Sequence, residues 1–257
     1  MNFQYGMLES VPRMAAYDEF AWFYDRYWNE EFHSIAFPIL ERIWLPHVPA
    51  RGRVLDVCCG TGYLAGLLSG RGFDVTGVDV SAAMIRYARK HVPAATFLVG
   101  DVAAAPLPGR FDAAVSTFDS LNHIVAPGAL QAAFRNAASV MKPGAPFVFD
   151  MLLEQAYQTH WGEAFAIVRD DHVLTITGAS YDFRSRMAQC TLTMFRRIKG
   201  EWRRSDATIC ERCYTPAEIE SALCAAGFGA ISCYDADDMG MGGELGLGRT
   251  FFLAVRQ

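Results

Sequence analysis

The sequence lacks the features of a membrane, secreted or nucleic-acid-binding protein. It contains no stretch of about 18 apolar residues, the length expected of a transmembrane helix. Its first residues do not combine a basic start with a long apolar core, which argues against a signal peptide and predicts a cytoplasmic protein without a membrane partner. The 23 Lys and Arg residues are scattered and outnumbered by 28 Asp and Glu residues, so we expect no nucleic-acid partner.

The cysteines lack the spacing of a disulfide framework or a zinc site. Seven cysteines, an odd number without regular spacing, predict reduced and mostly buried thiols. Cys210 and Cys213 form a Cys-x-x-Cys pair, but no second pair matches it, so we predict no metal site. The chain also lacks internal repeats, and its 257 residues with 52% hydrophobic content predict one elaborated domain with a large core.

Short apolar runs alternate with helical patterns through the first half of the chain. Strands are predicted at 53–57, 73–79, 95–100, 111–118 and 145–151, with helices at 62–70, 81–91 and 127–141. This alternation predicts an α/β fold with a doubly wound, mostly parallel sheet. Before the first strand, apolar residues at helical spacing over 18–44 predict one or two helices interrupted near Pro38.

The character of the chain changes after residue 152. Alternating polar and apolar residues predict antiparallel strands at 165–170, 172–183, 187–198 and 201–210. Thr215, Pro216 and Glu218 predict the start of a helix over 215–227, and two further strands follow at 228–235 and 249–256. We therefore divide the chain into an N-terminal helical cap (1–50), an α/β core (51–151 and 214–257) and an antiparallel β insert (152–213).

The stretch VLDVCCGTGYLAGL (54–67) predicts a strand, a turn at Gly60-Thr61-Gly62 and a helix that begins near Tyr63. In an open α/β sheet, ligands bind at the carboxyl ends of the strands. Glycines let a ligand approach the backbone, and the helix N-terminus favours an anion. A tight turn without a ligand is the alternative interpretation.

Three acidic residues stand at predicted strand ends on the same edge. Asp56 lies in the first strand, Asp79 ends the second, and Asp101 follows the third. Asp79 suits a bidentate hydrogen bond to a ribose diol, and Asp101 suits an adenine amino group. Any one of these acids alone could be an N-cap or a solvated loop charge, but together they predict an adenosine site.

In five segments the sequence resembles the class I S-adenosylmethionine-dependent methyltransferases, and it is most similar to the small-molecule members that methylate sugar amines or glycine. The segments are VLDVCCGTG (54–62), VTGVDVSAAMIRYAR (75–89), FLVGDV (97–102), FDAAVSTFDSLNHI (111–124) and MKPGAPFVFDM (141–151). The resemblance implies a Rossmann-like sheet of seven strands with the last one reversed, and S-adenosylmethionine as cofactor. It implies cofactor contacts from Tyr24, Asp56, Cys58, Gly60, Thr61, Gly62, Asp79, Val80, Met84, Gly100, Asp101, Val102, Ser116, Thr117 and Phe118.

The resemblance also implies roles within that set. The methionine part would lie over Gly60 and Gly62, with its amine near Asp56. Tyr24 resembles a cofactor-covering tyrosine, although an aromatic core stripe would explain it equally well. Cys58 and Cys59 replace the commoner Ala-Cys or Gly-Cys, and we interpret both as small packing residues.

The expected reaction is methylation of a nitrogen or oxygen of a small molecule. An amine such as an amino sugar is preferred, because FDSLNHI resembles the sugar N-methyltransferases. His123 in that segment could accept the proton that the acceptor loses, or it could only cap or pack. We expect the insert 152–213 to roof the acceptor pocket, and a homodimer is possible.

Two alternatives remain open from the sequence. Gly60-x-Gly62-x-x-Ala65 followed by Asp79 approximates the fingerprint of an NAD-dependent dehydrogenase. Asp56 before the glycines and the predicted antiparallel hairpin at the end of the chain argue against it. A protein that binds S-adenosylmethionine without catalysis is the other alternative.

Overall fold

A seven-stranded sheet between two layers of helices forms the core of the protein. The structure is a computed structural model that describes residues 13–104, 106–159, 161 and 165–257. Its strands are β1 (Arg53–Val57), β2 (Asp74–Asp79), β3 (Thr96–Val99), β4 (Ala113–Ser116), β5 (Pro146–Leu152), β6 (Ala166–Val168), β7 (His172–Asp182), β8 (Met187–Ile198), β9 (Glu201–Arg212), β10 (Phe228–Asp235) and β11 (Arg249–Arg256).

The helices are α1 (Arg13–Tyr27), α2 (Asn29–Ile43), α3 (Tyr63–Gly70), α4 (Ala82–His91), α5 (Ala129–Val140), α6 (Glu154–Thr159) and α7 (Pro216–Ala225). Short 3₁₀ helices cover Leu45–His47 and Ser120–His123. None of the helices that the structure describes is long and apolar enough to cross a membrane.

The strand order of the large sheet is β10-β11-β5-β4-β1-β2-β3, and β11 runs antiparallel to both of its neighbours. The other ladders, from β5 to β3, are parallel, so β1 to β5 all end at one edge. Because β11 is reversed, its first residue, Arg249, lies opposite Leu152 at this same edge. The predicted sheet with a reversed last strand is confirmed.

Burial on both faces explains why the central strands read as continuous apolar runs. Every residue of β4 is buried, and in β5 all residues before Leu152 are buried. Helices α2, α3 and α4 pack on one face through residues such as Leu40, Leu64 and Ile85. Helices α5 and α7 pack on the other face.

A second, four-stranded antiparallel sheet, in the order β6-β7-β8-β9, follows β5 and α6. Its strands and turns agree with the sequence prediction. One side of it packs on α1, where Phe20 and Phe23 meet Leu174, Leu192 and Met194. Helix α6 was not predicted, because its six residues are too few for a helical period to stand out.

The predicted capping box of α7 is also confirmed. The Thr215 hydroxyl accepts a hydrogen bond from the Glu218 backbone N–H at 3.2 Å, and the Glu218 carboxylate accepts one from the Thr215 N–H at 2.8 Å. Arg186 of the insert also donates to Glu218. The helix start therefore anchors the small sheet to the core.

The predicted interruption of the N-terminal helices near Pro38 is wrong. The break lies at Trp28, and Pro38 sits inside α2. Pro38 is exposed, so water can hydrogen-bond the Ser34 carbonyl that loses its helical donor. The neighbouring Phe37 and Ile39 are buried, and their packing holds the helix together across the proline.

Candidate functional site

The loop after β1 forms a turn with three residues in the left-handed region, Cys58 (φ 58°), Gly60 (φ 53°) and Gly62 (φ 81°). The Cys59 N–H donates to the Val78 carbonyl, and the Gly60 N–H donates to the Asp79 carboxylate at 3.0 Å. These bonds fix the turn against the end of β2. Helix α3 then begins at Tyr63, as predicted.

The two glycines of this turn serve different purposes. A Cβ on Gly60 would lie 3.3 Å from the Tyr24 ring, so the tyrosine covers this part of the turn. A Cβ on Gly62 would lie about 3 Å from Ala88 in α4 and from Phe97, because the two helices approach closely there. Gly60 therefore borders a surface for a ligand, whereas Gly62 permits packing.

The three predicted acids all lie at this edge, in different environments. Asp79 is half-buried and accepts from the backbone N–H groups of Gly60 and Ser81. Asp101 accepts from the Ala103 N–H. Asp56 is buried, and its Oδ2 has no hydrogen-bond partner. Burial, with a smaller effect from the charge of Asp79, raises the pKa of Asp56 to about 8.

Two cavities meet above these acids. One of about 50 Å³ lies among the ends of β2 and β3 and the loop after β4. The other, of about 270 Å³, lies between the sheet edge, α1 and the small antiparallel sheet. Their walls share Cys58, Asp79, Ser120 and His123, so the cavities adjoin there.

Most of the predicted site residues line one or both cavities. These are Tyr24, Cys58, Gly60, Asp79, Val80, Gly100, Asp101, Val102, Phe118 and His123. The other predicted residues lie nearby but outside both walls, and they are Asp56, Thr61, Gly62, Met84, Ser116 and Thr117.

Local contacts explain several of these positions. Thr61 accepts a hydrogen bond from Asn29 of α2, and Thr117 lies 3.1 Å from the ring of His33. Met84 is buried beside Phe20, under α1. Cys59 fills the space above Gly77, where a Cβ would come within 2.7 Å of its sulfur. Cys59 is therefore a packing residue, as predicted, whereas Cys58, for which the same role was predicted, lines both cavities.

The loop after β4 is held by a buried ion network. Phe118 (φ 62°) and Asp119 (φ 46°) both adopt the left-handed conformation. Their N–H groups donate to the two carboxylate oxygens of Asp150, at 2.7 and 3.0 Å. Arg249 donates to Asp150 and lies 2.8 Å from Asp119. Burial alone would raise the pKa of Asp119, but Arg249 and His123 outweigh it and lower that pKa.

His123 ends the 3₁₀ helix that follows this loop. Its Nδ1 lies 3.3 Å from the Cys210 carbonyl. Its Nε2 lies 3.7 Å from an Asp119 oxygen and 3.6 Å from a Glu211 oxygen. Glu211 is buried on β9 and accepts a hydrogen bond from Tyr157 at 2.8 Å. Burial raises the pKa of Glu211 to about 7, because the nearby Asp119 adds to that effect and His123 and Tyr157 only partly oppose it.

Asp119, His123 and Glu211 bring three ligand-type atoms within 4.8 Å of one another. It is the one group of this kind among the residues that the structure describes, and no cysteine belongs to it. Such a group suits a proton acceptor between two carboxylates, a bound ammonium or a metal ion. Arg249 pairs with Asp119 and also with Asp150, so its charge is shared between the two carboxylates.

Four residues around His123 and the buried ion network were not predicted from the sequence. They are Asp119, Asp150, Glu211 and Arg249. Asp150 interrupts a run of apolar residues in β5, and a charge in a strand buried on both faces needs a partner. Glu211 shares the strand face of Ala207 and Ile209, which is an apolar position. Both signals are visible in the sequence, but neither indicates which residue is the partner.

A larger depression, of about 880 Å³, lies elsewhere on the surface. Its walls include Asp25, Glu30, Tyr63, Leu67 and His91. They include no residue from the ends of β2, β3 or β4. We place the site at the strand ends instead, because the adjoining cavities there hold the buried polar groups.

Comparison with known proteins identifies the family. Residues 54–144 match the family described as a methyltransferase domain. The dTDP-3-amino-3,4,6-trideoxy-alpha-D-glucopyranose N,N-dimethyltransferase of Streptomyces venezuelae is 30% identical over 183 residues, which are 70% of this chain and 76% of that protein. The chain belongs to the S-adenosylmethionine-dependent methyltransferases.

Two further relatives agree with this assignment. The putative methyltransferase YqeM of Bacillus subtilis (strain 168) is 35% identical over 108 residues, which span 40% of this methyltransferase and 44% of YqeM. A solved S-adenosylmethionine-dependent methyltransferase from Clostridium acetobutylicum ATCC 824 has the same fold, with a TM-score of 0.76 at 21% identity over 93% of this chain and 98% of that one. Membership in a methyltransferase family excludes the dehydrogenase alternative, and the Streptomyces venezuelae relative indicates a small-molecule acceptor.

The residues at the strand ends fit the cofactor of this family. The buried Asp56 oxygen without a partner suits an ammonium group, and the bare backbone of Gly60 under Tyr24 suits a close contact. The carboxylates of Asp79 and Asp101 line the smaller cavity. The methyltransferase thus holds donors and acceptors for the methionine end and the adenosine end in adjoining spaces.

Replacing Arg249 by Met should destabilise the methyltransferase strongly. It leaves Asp119 and Asp150 buried without their cation, and such a loss costs about 3–5 kcal/mol. Urea unfolding measures this cost. The control is Arg71→Met, which breaks an exposed pair with Glu41 worth about 1 kcal/mol or less. Equal destabilisation by the two variants would contradict the network's role.

Binding of S-adenosylmethionine at pH 7 should release close to one proton. Asp56, with a pKa of about 8, is mostly protonated in the free protein at this pH, and an ammonium beside it would favour the charged form. Calorimetric titration in buffers of different ionisation enthalpy measures the release. Asp56→Asn should abolish it, whereas Asp74→Asn at the exposed start of β2 should not. A parent protein that binds without releasing a proton would refute this role of Asp56.

Proposed function

We propose that the protein methylates the nitrogen of a small-molecule amine, and that His123 accepts the proton that this nitrogen loses. One observation carries the proposal. In the larger cavity, His123 Nε2 faces carboxylate oxygens of Asp119 and Glu211 at 3.7 and 3.6 Å. A basic nitrogen between two carboxylates matches a substrate that arrives as a cation and leaves a proton behind.

The tautomer of His123 follows from its backbone contact. The Cys210 carbonyl can only accept, so Nδ1 carries a proton and donates to it. With Nδ1 protonated, Nε2 is the atom at which the neutral ring would take up a proton, and it is the atom that faces Asp119 and Glu211. Once His123 is protonated, Asp119 and Glu211 stabilise its charge.

The strand ends would hold the cofactor. When bound, S-adenosylmethionine supplies a methyl group that its sulfonium already activates for in-line displacement. We assign the ribose to Asp79, the adenine amino group to Asp101 and the methionine amine to Asp56. Tyr24 would cover the Gly60 turn and exclude water from it. Alignment of the acceptor with the methyl group is then the main task of the protein.

Electrostatics favour an amine over a hydroxyl as the acceptor. An ammonium gains from the charges of Asp119 and Glu211, whereas a neutral hydroxyl gains only hydrogen bonds. The Streptomyces venezuelae relative is named as an N,N-dimethyltransferase of an amino sugar, which supports nitrogen as the methylated atom. A hydroxyl acceptor is the second candidate, since His123 could take its proton too.

The parts of the chain would share this work. Residues 51–151 and 214–257 would bind the cofactor, 1–50 would form a helical cap, and 152–213 would form a lid that contributes Glu211 to the acceptor cavity. A homodimer, a cytoplasmic location and the lack of a nucleic-acid partner stay predictions. Size-exclusion chromatography would test the dimer.

Turnover of a metabolite library with S-adenosylmethionine that carries a labelled methyl group tests the function. We expect the label in an amine. Once the acceptor is known, His123→Asn and His123→Ala should lower kcat by about 10²–10⁴ without changing cofactor affinity, because general-base assistance is worth about that much. His47→Asn, in the exposed 3₁₀ helix Leu45–His47, is the control.

Near-normal turnover of both His123 variants would show that His123 is not the general base and only packs in the cavity wall. A labelled hydroxyl would support the second candidate. Absence of labelled product across the library, together with absent cofactor binding, would refute the proposed function.

A further inference from the structure

We infer that the acceptor is a compact apolar amine that carries no phosphate or carboxylate, and that Glu211 and Asp119 hold its ammonium group. The inference rests on the proposed function and specifies its substrate class. It follows from the charges, the wall and the size of the cavity of about 270 Å³.

The charged side chains of this cavity are all acidic. Asp79, Asp119 and Glu211 line it, and none of its lining residues that the structure describes is a Lys or Arg. Arg249, the nearest cation in the network, is already committed to Asp119, Asp150 and the Leu245 carbonyl. Among the described lining residues His123 is the one group that can become cationic, so a phosphate or carboxylate would meet an excess of negative charge there, whereas an ammonium would be attracted.

Glu211 is the acid best placed to anchor the ammonium. It comes from the small sheet and faces His123 across the cavity, with one oxygen 3.6 Å from Nε2 and the other bonded to Tyr157. Among the described residues no Lys or Arg forms an ion pair with it, unlike Asp119, and its ion-pair partner is His123, which is cationic only when protonated. A bound ammonium would favour its ionised form near neutral pH, where its pKa lies.

The rest of the wall is apolar. Six Phe, Tyr or Trp side chains line it, together with Ile176, Leu192 and Ile209, and these aromatic residues are Phe20, Tyr24, Trp28, Phe118, Trp161 and Phe165. Aromatic faces attract cations and apolar groups. A sugar ring would find acceptors for its hydroxyls at the acidic end of the cavity, but hydroxyls that face the aromatic wall would lose water without a partner there.

The size of the cavity points to the same class. Pockets for drug-sized ligands run from roughly 300 to 1,000 Å³. This cavity of about 270 Å³ lies below that range and also has to admit the methionine end of the cofactor beside Tyr24, Gly60 and Asp79. A nucleotide-linked sugar would have to leave its nucleotide outside. An amine on a single ring matches the volume, the aromatic wall and the acidic end together.

Calorimetry on the protein saturated with S-adenosylhomocysteine, at pH 8 with a chelator present, tests the inference without turnover. Three probes are compared: 2-phenylethylamine, its neutral counterpart 2-phenylethanol, and O-phosphoethanolamine. We expect the first to bind at least about tenfold more tightly than the second, and the third not to bind.

Glu211→Gln keeps the volume and the acceptor for Tyr157 but removes the charge. It should weaken 2-phenylethylamine about ten- to a hundredfold and leave 2-phenylethanol unchanged. Glu201→Gln on the same strand, where Glu201 is exposed and pairs only with Arg203, should change neither. Retained S-adenosylhomocysteine affinity shows that each variant is folded.

Several results would overturn the inference. They are equal affinity for the amine and the alcohol, no amine binding, tighter binding of O-phosphoethanolamine, amine binding that Glu211→Gln leaves intact, or amine binding that needs added Mn²⁺ or Zn²⁺. If the parent protein binds S-adenosylhomocysteine, these results reject the acceptor class alone. If it does not, the proposed function fails as well.

Discussion

The buried ion network of Asp150, Arg249 and Asp119 is the constraint on which the rest of the site depends. A carboxylate at the end of β5 receives two consecutive backbone N–H groups and fixes a left-handed loop after β4. Arg249 reaches it only because β11 runs against its neighbours and begins at the ligand edge. The reversed strand, usually described as a feature of topology, thus supplies the charge that makes two buried carboxylates tolerable.

This network also determines what the acceptor cavity can bind. By fixing the loop, it places Phe118 in the cavity wall and starts the 3₁₀ helix that carries His123. Arg249 pairs with Asp119, whereas the ion-pair partner of Glu211 among the described residues is His123, which is charged only when protonated. The cofactor side and the acceptor side of the site are therefore linked through the loop after β4. The small antiparallel sheet contributes one acidic residue to the site, Glu211.

Local patterns in the sequence predicted the elements but not this network. The strands, the cap of α7 and the acids at the ends of β1 to β3 could be predicted because each depends on neighbouring residues and on the rule that parallel strands share an edge. The partners of Asp150 lie 31 residues before it and 99 residues after it, and no local pattern carries that information. The predicted helix interruption near Pro38 was wrong for a related reason, because the tertiary packing of α2 overrides the local helix-breaking tendency of proline.

A crystal structure of the complex with S-adenosylhomocysteine tests the central claim most directly. We predict that the ribose hydroxyls contact Asp79, that the adenine lies beside Asp101 and that the amine lies at Asp56. The sulfur should face the cavity that Tyr24, Phe118 and His123 line. A ligand seated in the larger depression beside Asp25, Glu30 and Leu67, or a ribose without contact to Asp79, would contradict it.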